Sequence, residues 1–310
     1  MDTARIVVDP QYNEGFAKRS ALSCAGDDDT VKKQMELLLP LSWLFGFFDA
    51  VEYPLVGTDV RIELTKNQNF AEAFHGSTAD AAKFVFDEIH MVVPRVLPST
   101  EVEAEIMNKI KDKFTREIKF YEYSVEVDED RDIDTAKNKA KVWKVNTVDK
   151  KITRAFKFDM IKAHRENFNA NPMVMVHNNV RKLKAKLGTI NVPYDDYTPK
   201  FGNATDSSEQ YAREIYELAN ITDMNFDEQG GNQINRTNFK NIYPILALDF
   251  RSIPESVFLT QQVNDITIEE ERDNVDAVGV YNSYLVIESE RSIILDSAMS
   301  GDNARLIVKQ

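Results

Sequence analysis

LLLPLSWLFGFFDAVEYPLVGTDVRIELTK, residues 37–66, carries an apolar load in a pattern that no soluble helix carries. An apolar run ends at Pro40, a dense patch of Trp43, Phe45, Phe47 and Phe48 follows, and beyond Pro54 the residues Val56, Thr58, Val60, Ile62 and Leu64 alternate with Gly57, Asp59, Arg61, Glu63 and Thr65. A period of two places these sets on opposite faces of a strand, so the stretch predicts a strand pair around an aromatic patch. Trp43, Phe45, Phe47, Phe48 and Tyr53 are the candidate core or subunit-interface aromatics.

The same pattern extends outward in both directions. Upstream, strands are expected around 16–22 and over Val31–Leu37; downstream, Phe84–Met91 alternates up to Pro94. At Ser99 the reading changes. Ser99 or Thr100 can cap a helix, Glu101 and Glu103 suit its dipole, and Val102, Ile106, Ile110 and Phe114 recur on one face. Strands resume over Glu117–Val127, Lys141–Val148, Arg154–Ala163, Met173–His177 and Val180–Leu187. They return at Ile242–Phe250, Val263–Glu271, Val278–Glu288 and Ile293–Ser297. Between them, Val127–Ala140 and Val192–Gly202 read as loops, Ser207–Leu218 as a short amphipathic helix, and residues 219–238 as a surface excursion. No alternating βαβ pattern occurs. The class is all-β, a sandwich with one or two short accessory helices.

Composition agrees. A chain of 310 residues with 43% hydrophobic residues, 18 Phe and 11 Tyr can bury a real core and leans toward sheet. The net charge of −13 repels polyanions on average, so nucleic-acid contact needs a local basic patch. One such strip exists, Arg181, Lys182, Lys184 and Lys186, a weak candidate whose plainer reading is a solvated strand face. The single cysteine, Cys24, allows no internal disulfide, and the N-terminal sequence lacks the features of a signal peptide. A reducing intracellular compartment is therefore expected. No apolar run is long enough for a membrane-spanning helix. The N-x-T sites at Asn203, Asn220 and Asn235 read as ordinary polar loops.

The sequence names no chemistry. His75, His90, His164 and His177 have no metal-ligand spacing, no phosphate-cradling glycine motif occurs, and Cys24 has no nearby histidine. The acidic runs 27–29, 128–134 and 269–271 match no calcium loop and read as solvated charge. No catalytic residue, cofactor or metal is expected. Of the two tryptophans, Trp143 reads as an inner sandwich residue and Trp43 as part of the aromatic patch.

Three segments together resemble the double jelly-roll major capsid proteins of large DNA viruses and their Polinton-like relatives, including related proteins in animal genomes. Residues 37–66 are similar to a segment late in the first roll, VPRVLPS (Val93–Ser99) to an element after the next strand, and NIYPILALDFR (Asn241–Arg251) to a late strand of the second roll. The three keep their order and approximate spacing. A jelly roll uses eight strands. The candidate runs from Glu117 onward suffice to fill one roll, whereas residues 1–95 offer four, which departs from the family by half a roll.

The resemblance therefore implies the C-terminal part of a first roll over 1–98, a linker helix over 99–116 and a complete second roll over 117–310. It also implies a structural protein of the virion or capsid: a homotrimer forming pseudo-hexagonal capsomers of an icosahedral shell, with other capsid proteins such as a penton as further partners. Direct DNA binding is not expected as its main role. A β-sandwich carbohydrate-binding or carbohydrate-active protein, or a domesticated capsid relative that no longer assembles, fits the same residues.

Overall fold

The computed structural model describes residues 36–51, 55, 60–65, 85–111, 115–132, 140–147, 151–165, 167, 174–202, 207–222, 234–254, 257, 265–273, 280–300 and 303–309. Cys24, Tyr53, the expected strand over 16–22 and residues 31–35 of the strand expected over Val31–Leu37 fall outside them. The strands are β1 (Thr115–Asp132), β2 (Ala140–Asn146), β3 (Lys151–Ile161), β4 (Met175–Val176), β5 (Val180–Leu187), β6 (Ile190–Tyr197), β7 (Leu246–Asp249), β8 (Asp265–Arg272), β9 (Val280–Ser300) and β10 (Asn303–Lys309). The helices are α1 (Leu41–Leu44), α2 (Gly46–Ala50), α3 (Thr100–Lys111), α4 (Lys162–Arg165), α5 (Ala212–Ile221) and α6 (Arg236–Asn241).

Every strand pair is antiparallel. One sheet runs β1-β9-β3, with β7 and β4 sharing the far edge of β3 and β10 folding back on β9; the other runs β2-β8-β5-β6. Apart from the short β4 and terminal β10, the chain places β1, β3, β7 and β9 in the first sheet and β2, β5, β6 and β8 in the second. Apart from the β5–β6 hairpin, neighbours among these eight strands are thus distant in sequence. This is the eight-strand jelly roll, formed entirely after Lys111.

Side-chain alternation sets the register. On β5, Val180, Leu183, Ala185 and Leu187 are buried while Lys182, Lys184 and Lys186 point outward, and β8 buries every second residue from Ile266 to Arg272. Two tight turns place β5. Asn178 and Asn179 both have positive φ, 46° and 47°, as a type I′ turn requires, and the Val180 amide donates to the His177 carbonyl at 3.0 Å. At the other end, Gly188 at φ 59° supplies the left-handed residue between Leu187 and Ile190. The core between the sheets joins Ile152, Ala155, Leu246, Leu248, Leu285 and Ile287 of the first to Val145, Leu183, Leu187, Ile266 and Ile268 of the second. Trp143 packs against this core, as expected of an inner residue.

Several local expectations are corrected. Val192–Gly202 is not all loop, because β6 occupies Ile190–Tyr197. It is an edge strand, where Pro193 withholds no needed donor, and a register shift accommodates it. The charged run after Val127 continues β1 as far as Asp132, since β9 offers it a ladder up to Val280. The two strands expected over Val278–Ser297 are the single strand β9, held through Arg291 and Ser292 by pairing with Phe120 and Lys119.

Before Thr100, no strand occurs among the described residues. The aromatic stretch instead forms α1 and α2, closed by Phe45 N–H donating to Leu41 O at 2.9 Å and Val51 N–H to Phe47 O at 3.1 Å. Residues 60–65 and 85–91 have strand-like alternation but no regular element. Alternation makes a strand only where another strand satisfies its backbone, and none of the described strands lies beside them.

Candidate assembly surface

The described part of residues 36–97 keeps much of its apolar surface in the open. Leu38 is 87% exposed, Trp43 77%, Val92 79% and Leu97 78%. Leu37, Leu39, Leu44, Val85, Ile89, Met91, Val93 and Val96 are exposed as well. Trp43 is therefore not a core residue of this chain.

The aromatics beside it dock inward. Phe45, Phe47 and Phe48 are partly buried, Phe47 meets Phe48 edge-on at 5.4 Å, and it meets Phe120 of β1 at 5.8 Å and 82°. Phe47, Ala50, Val51 and Leu55 close over Ile118 and Ile293. Gly46 makes this approach possible, because a Cβ there would run into the Tyr121 carbonyl. Of the five candidate aromatics, the structure thus brings Phe45, Phe47 and Phe48 together and leaves Trp43 outward; Tyr53 lies outside the described residues.

Strand β1 adds an outward row that sequence reasoning missed. Ile118 and Phe120 face α2, but from Tyr121 the apolar positions change phase, so Tyr121, Tyr123, Val125 and Val127 point to the opposite face and are all exposed. The signal was present in EIKFYEYSVEV, where two adjacent aromatics reset the alternation. The Tyr123 hydroxyl is turned inward, donating to Glu288 Oε2 at 2.7 Å, and partial burial with the Glu288 carboxylate pushes its pKa up to about 12. The outer face of this sheet is covered at its other end. There α5 and α6 bury Ile215, Leu218, Ile221 and Phe239 against Ala247 of β7 and Phe156 of β3. The Asn235 side chain caps α6, accepting from Thr237 N–H at 2.8 Å, which gives that N-x-T position a structural use.

The basic strip lies on the outer face of the second sheet, each cation matched by carboxylates. Arg181 meets Glu271 at 2.8 Å, Lys182 meets Asp196 at 3.0 Å, Lys184 meets Glu269 at 3.0 Å, and Lys186 bonds Glu269 as well. The Asp196 hydrogen bond raises the Lys182 pKa, and the Lys186 hydrogen bond lowers that of Glu269. A polyanion there would have to displace these acids, which removes most of the counterion-release drive.

Between the sheets sits a buried polar cluster, also missed because its members come from four separate segments. Asp159 accepts from Lys157 Nζ at 2.9 Å, Asn178 Nδ2 at 2.9 Å, Arg272 Nη2 at 3.0 Å and Ser283 Oγ. Glu270 pairs with Lys157 at 2.8 Å and with Arg272, which also bonds the Tyr281 hydroxyl. Two cations and two anions balance. The adjoining pocket, lined by Lys157, Asp159, His177 and Phe201, holds about 10 Å³, the space of a single water. The cluster is built as an internal tie between sheets and has no room for a substrate. Among the described residues, no group of three or more His, Cys, Asp or Glu could hold a metal ion, and no helix is long and apolar enough to cross a membrane.

Strand order and surface together define a jelly-roll sandwich with unburied apolar flanks. No family model and no curated protein matches the chain. Among solved structures, it is similar to PBCV-1 VP54 as fitted into a cryo-EM reconstruction of the virophage Sputnik, with a TM-score of 0.35 and 8% identity over 68% of this chain and 55% of that one. It is also similar to a chain of the PBCV-1 virus capsid quasi-atomic model, with a TM-score of 0.32 and 8% identity over 64% and 52%. A third is a chain of the 3.5 Å cryo-EM structure of the Sputnik virophage, with a TM-score of 0.31 and 10% identity over 63% and 39%. The chain spans about half the length of these structures, or less. At such TM-scores the likeness carries no argument, and the fold rests on the strand order itself.

Proposed function

We propose that this chain is a capsid-type structural subunit that works by self-assembly and performs no catalysis. The observation that carries the reading is the apolar surface that a complete jelly roll leaves uncovered, on residues 37–44 and 89–97 and along β1. Exposed apolar surface on this scale marks an interaction site, and here both the roll and the segment preceding it carry such residues. The sequence resemblance gives the finer form. Residues 1–98 belong to a first roll, 99–116 link, and 117–310 are the second roll. Three copies then make a pseudo-hexagonal capsomer of an icosahedral shell in a virion, with a penton-type protein as an additional partner. Negative-stain imaging of the purified chain tests it: trimeric particles with a hexagonal outline, or arrays of them, are expected. A uniform field of monomer-sized particles over a wide range of concentration and salt contradicts it.

A further inference from the structure

We infer that the outward row of β1, Tyr121, Tyr123, Val125 and Val127, is the docking surface for the segment Ile89–Leu97 of a second copy of this chain; the inference rests on the assembly reading above. Both halves of the contact are present in each chain. The row lies on a strand that has a neighbour on one side only among the described strands, and its side chains are between 39% and 60% exposed. The segment presents Ile89, Met91, Val92, Val93, Val96 and Leu97, each at least 50% exposed and in no regular element. A sheet face without a covering layer and an apolar segment without a sheet satisfy one another.

Continuity supports the placement. Within one chain, Phe47, Ala50, Val51 and Leu55 cover β1 at Ile118, and at the far end of the same sheet α5 and α6 form the outer layer. The row from Tyr121 to Val127 lies on the face of β1 opposite α2 and shares the outer face of the sheet with the α5 and α6 layer, since Val125 pairs with Val286, which pairs with Phe156 beneath those helices. The polar groups nearby are already engaged inside the chain: Glu288 by Tyr123 and Thr153, and Glu290 by Lys151. The apolar side chains of the segment therefore strand neither of these carboxylates. The exposed parts of the ten side chains amount to on the order of 1,000 Å², where specific interfaces begin. Because row and segment are different surfaces, the contact closes either reciprocally between two copies or head to tail into a ring.

The test uses the full chain. A Val125→Glu/Val127→Glu variant is compared with wild type by light scattering and by thermal unfolding. The expected result is an unchanged Tm at concentrations where both proteins are monomeric, with a rise of roughly tenfold or more in the concentration needed to assemble. Equal assembly of both proteins overturns this docking surface and leaves the assembly reading standing. A wild type that stays monomeric overturns the assembly reading and this inference with it. The occupant is tested separately in a Cys24→Ser background by mixing Val125→Cys protein with Val92→Cys protein under mild oxidation. A mixed disulfide dimer is expected. Val125→Cys homodimers alone would show two β1 rows meeting face to face and would contradict the segment as occupant.

Discussion

His177 shows how much one side chain can report. Its ring stacks on Phe201 at 4.5 Å, and Nδ1 accepts from the Asn179 amide at 3.0 Å, so the ring is held neutral. Burial, aided by the Lys240 charge and opposed by Glu209, pushes its pKa down to about 4. In the unfolded chain a histidine titrates near 6.5, so between these values the unfolded state binds the extra proton and stability rises with pH. Lowering the pH from 7 to 4 should remove roughly 3 kcal/mol through this group. Urea unfolding at stepped pH should show that slope in wild type and lose it in His177→Phe; identical slopes would contradict the assignment. Asp159 is the second such residue. Asp159→Asn leaves Lys157 and Arg272 facing Glu270 alone, and breaking a buried network of this kind costs about 3–5 kcal/mol. The urea midpoint should fall accordingly with an unchanged m-value, and a change below about 1 kcal/mol would mean that the cluster is hydrated.

At the scale of elements, α2 against β1 is the joint between the segment before Thr100 and the roll. Gly46→Ala places a methyl group on the Tyr121 carbonyl and should undock α2, at a cost of about 1–3 kcal/mol. Amide exchange should then quicken across Ile118–Tyr121 while β8 keeps its protection; unchanged exchange would deny the joint. The elements also show what the sequence makes legible. Strands β2, β3, β5 and β8 could be read nearly to their ends, because each alternates between a more and a less buried face, whereas β7, expected over Ile242–Phe250, is the shorter Leu246–Asp249 and is buried on both faces. β6 was missed since an edge strand accepts Pro193 and polar residues that a central strand would refuse. The alternation over the described residues 60–65 and 85–91 misled for the opposite reason: a period of two describes side chains, whereas a strand needs a neighbour for its backbone. The outward row of β1 was legible only as a change of phase at Phe120–Tyr121, and the cluster around Asp159 was not legible, since Lys157, Asn178, Glu270 and Ser283 meet only through the crossovers between sheets.

At the scale of the whole molecule, the roll after Lys111 has its own core and its own internal ties, whereas the described residues before it expose what they cannot bury. An acidic chain with a balanced basic strip has little to offer a polyanion directly. The central claim is that the activity of this chain is association with copies of itself. Its most direct test is the mass of the purified chain by light scattering after size exclusion, across a hundredfold range of concentration. The account predicts a trimer or a multiple of it, with the apolar flanks withdrawn from water. A mass of one chain at every concentration would contradict it.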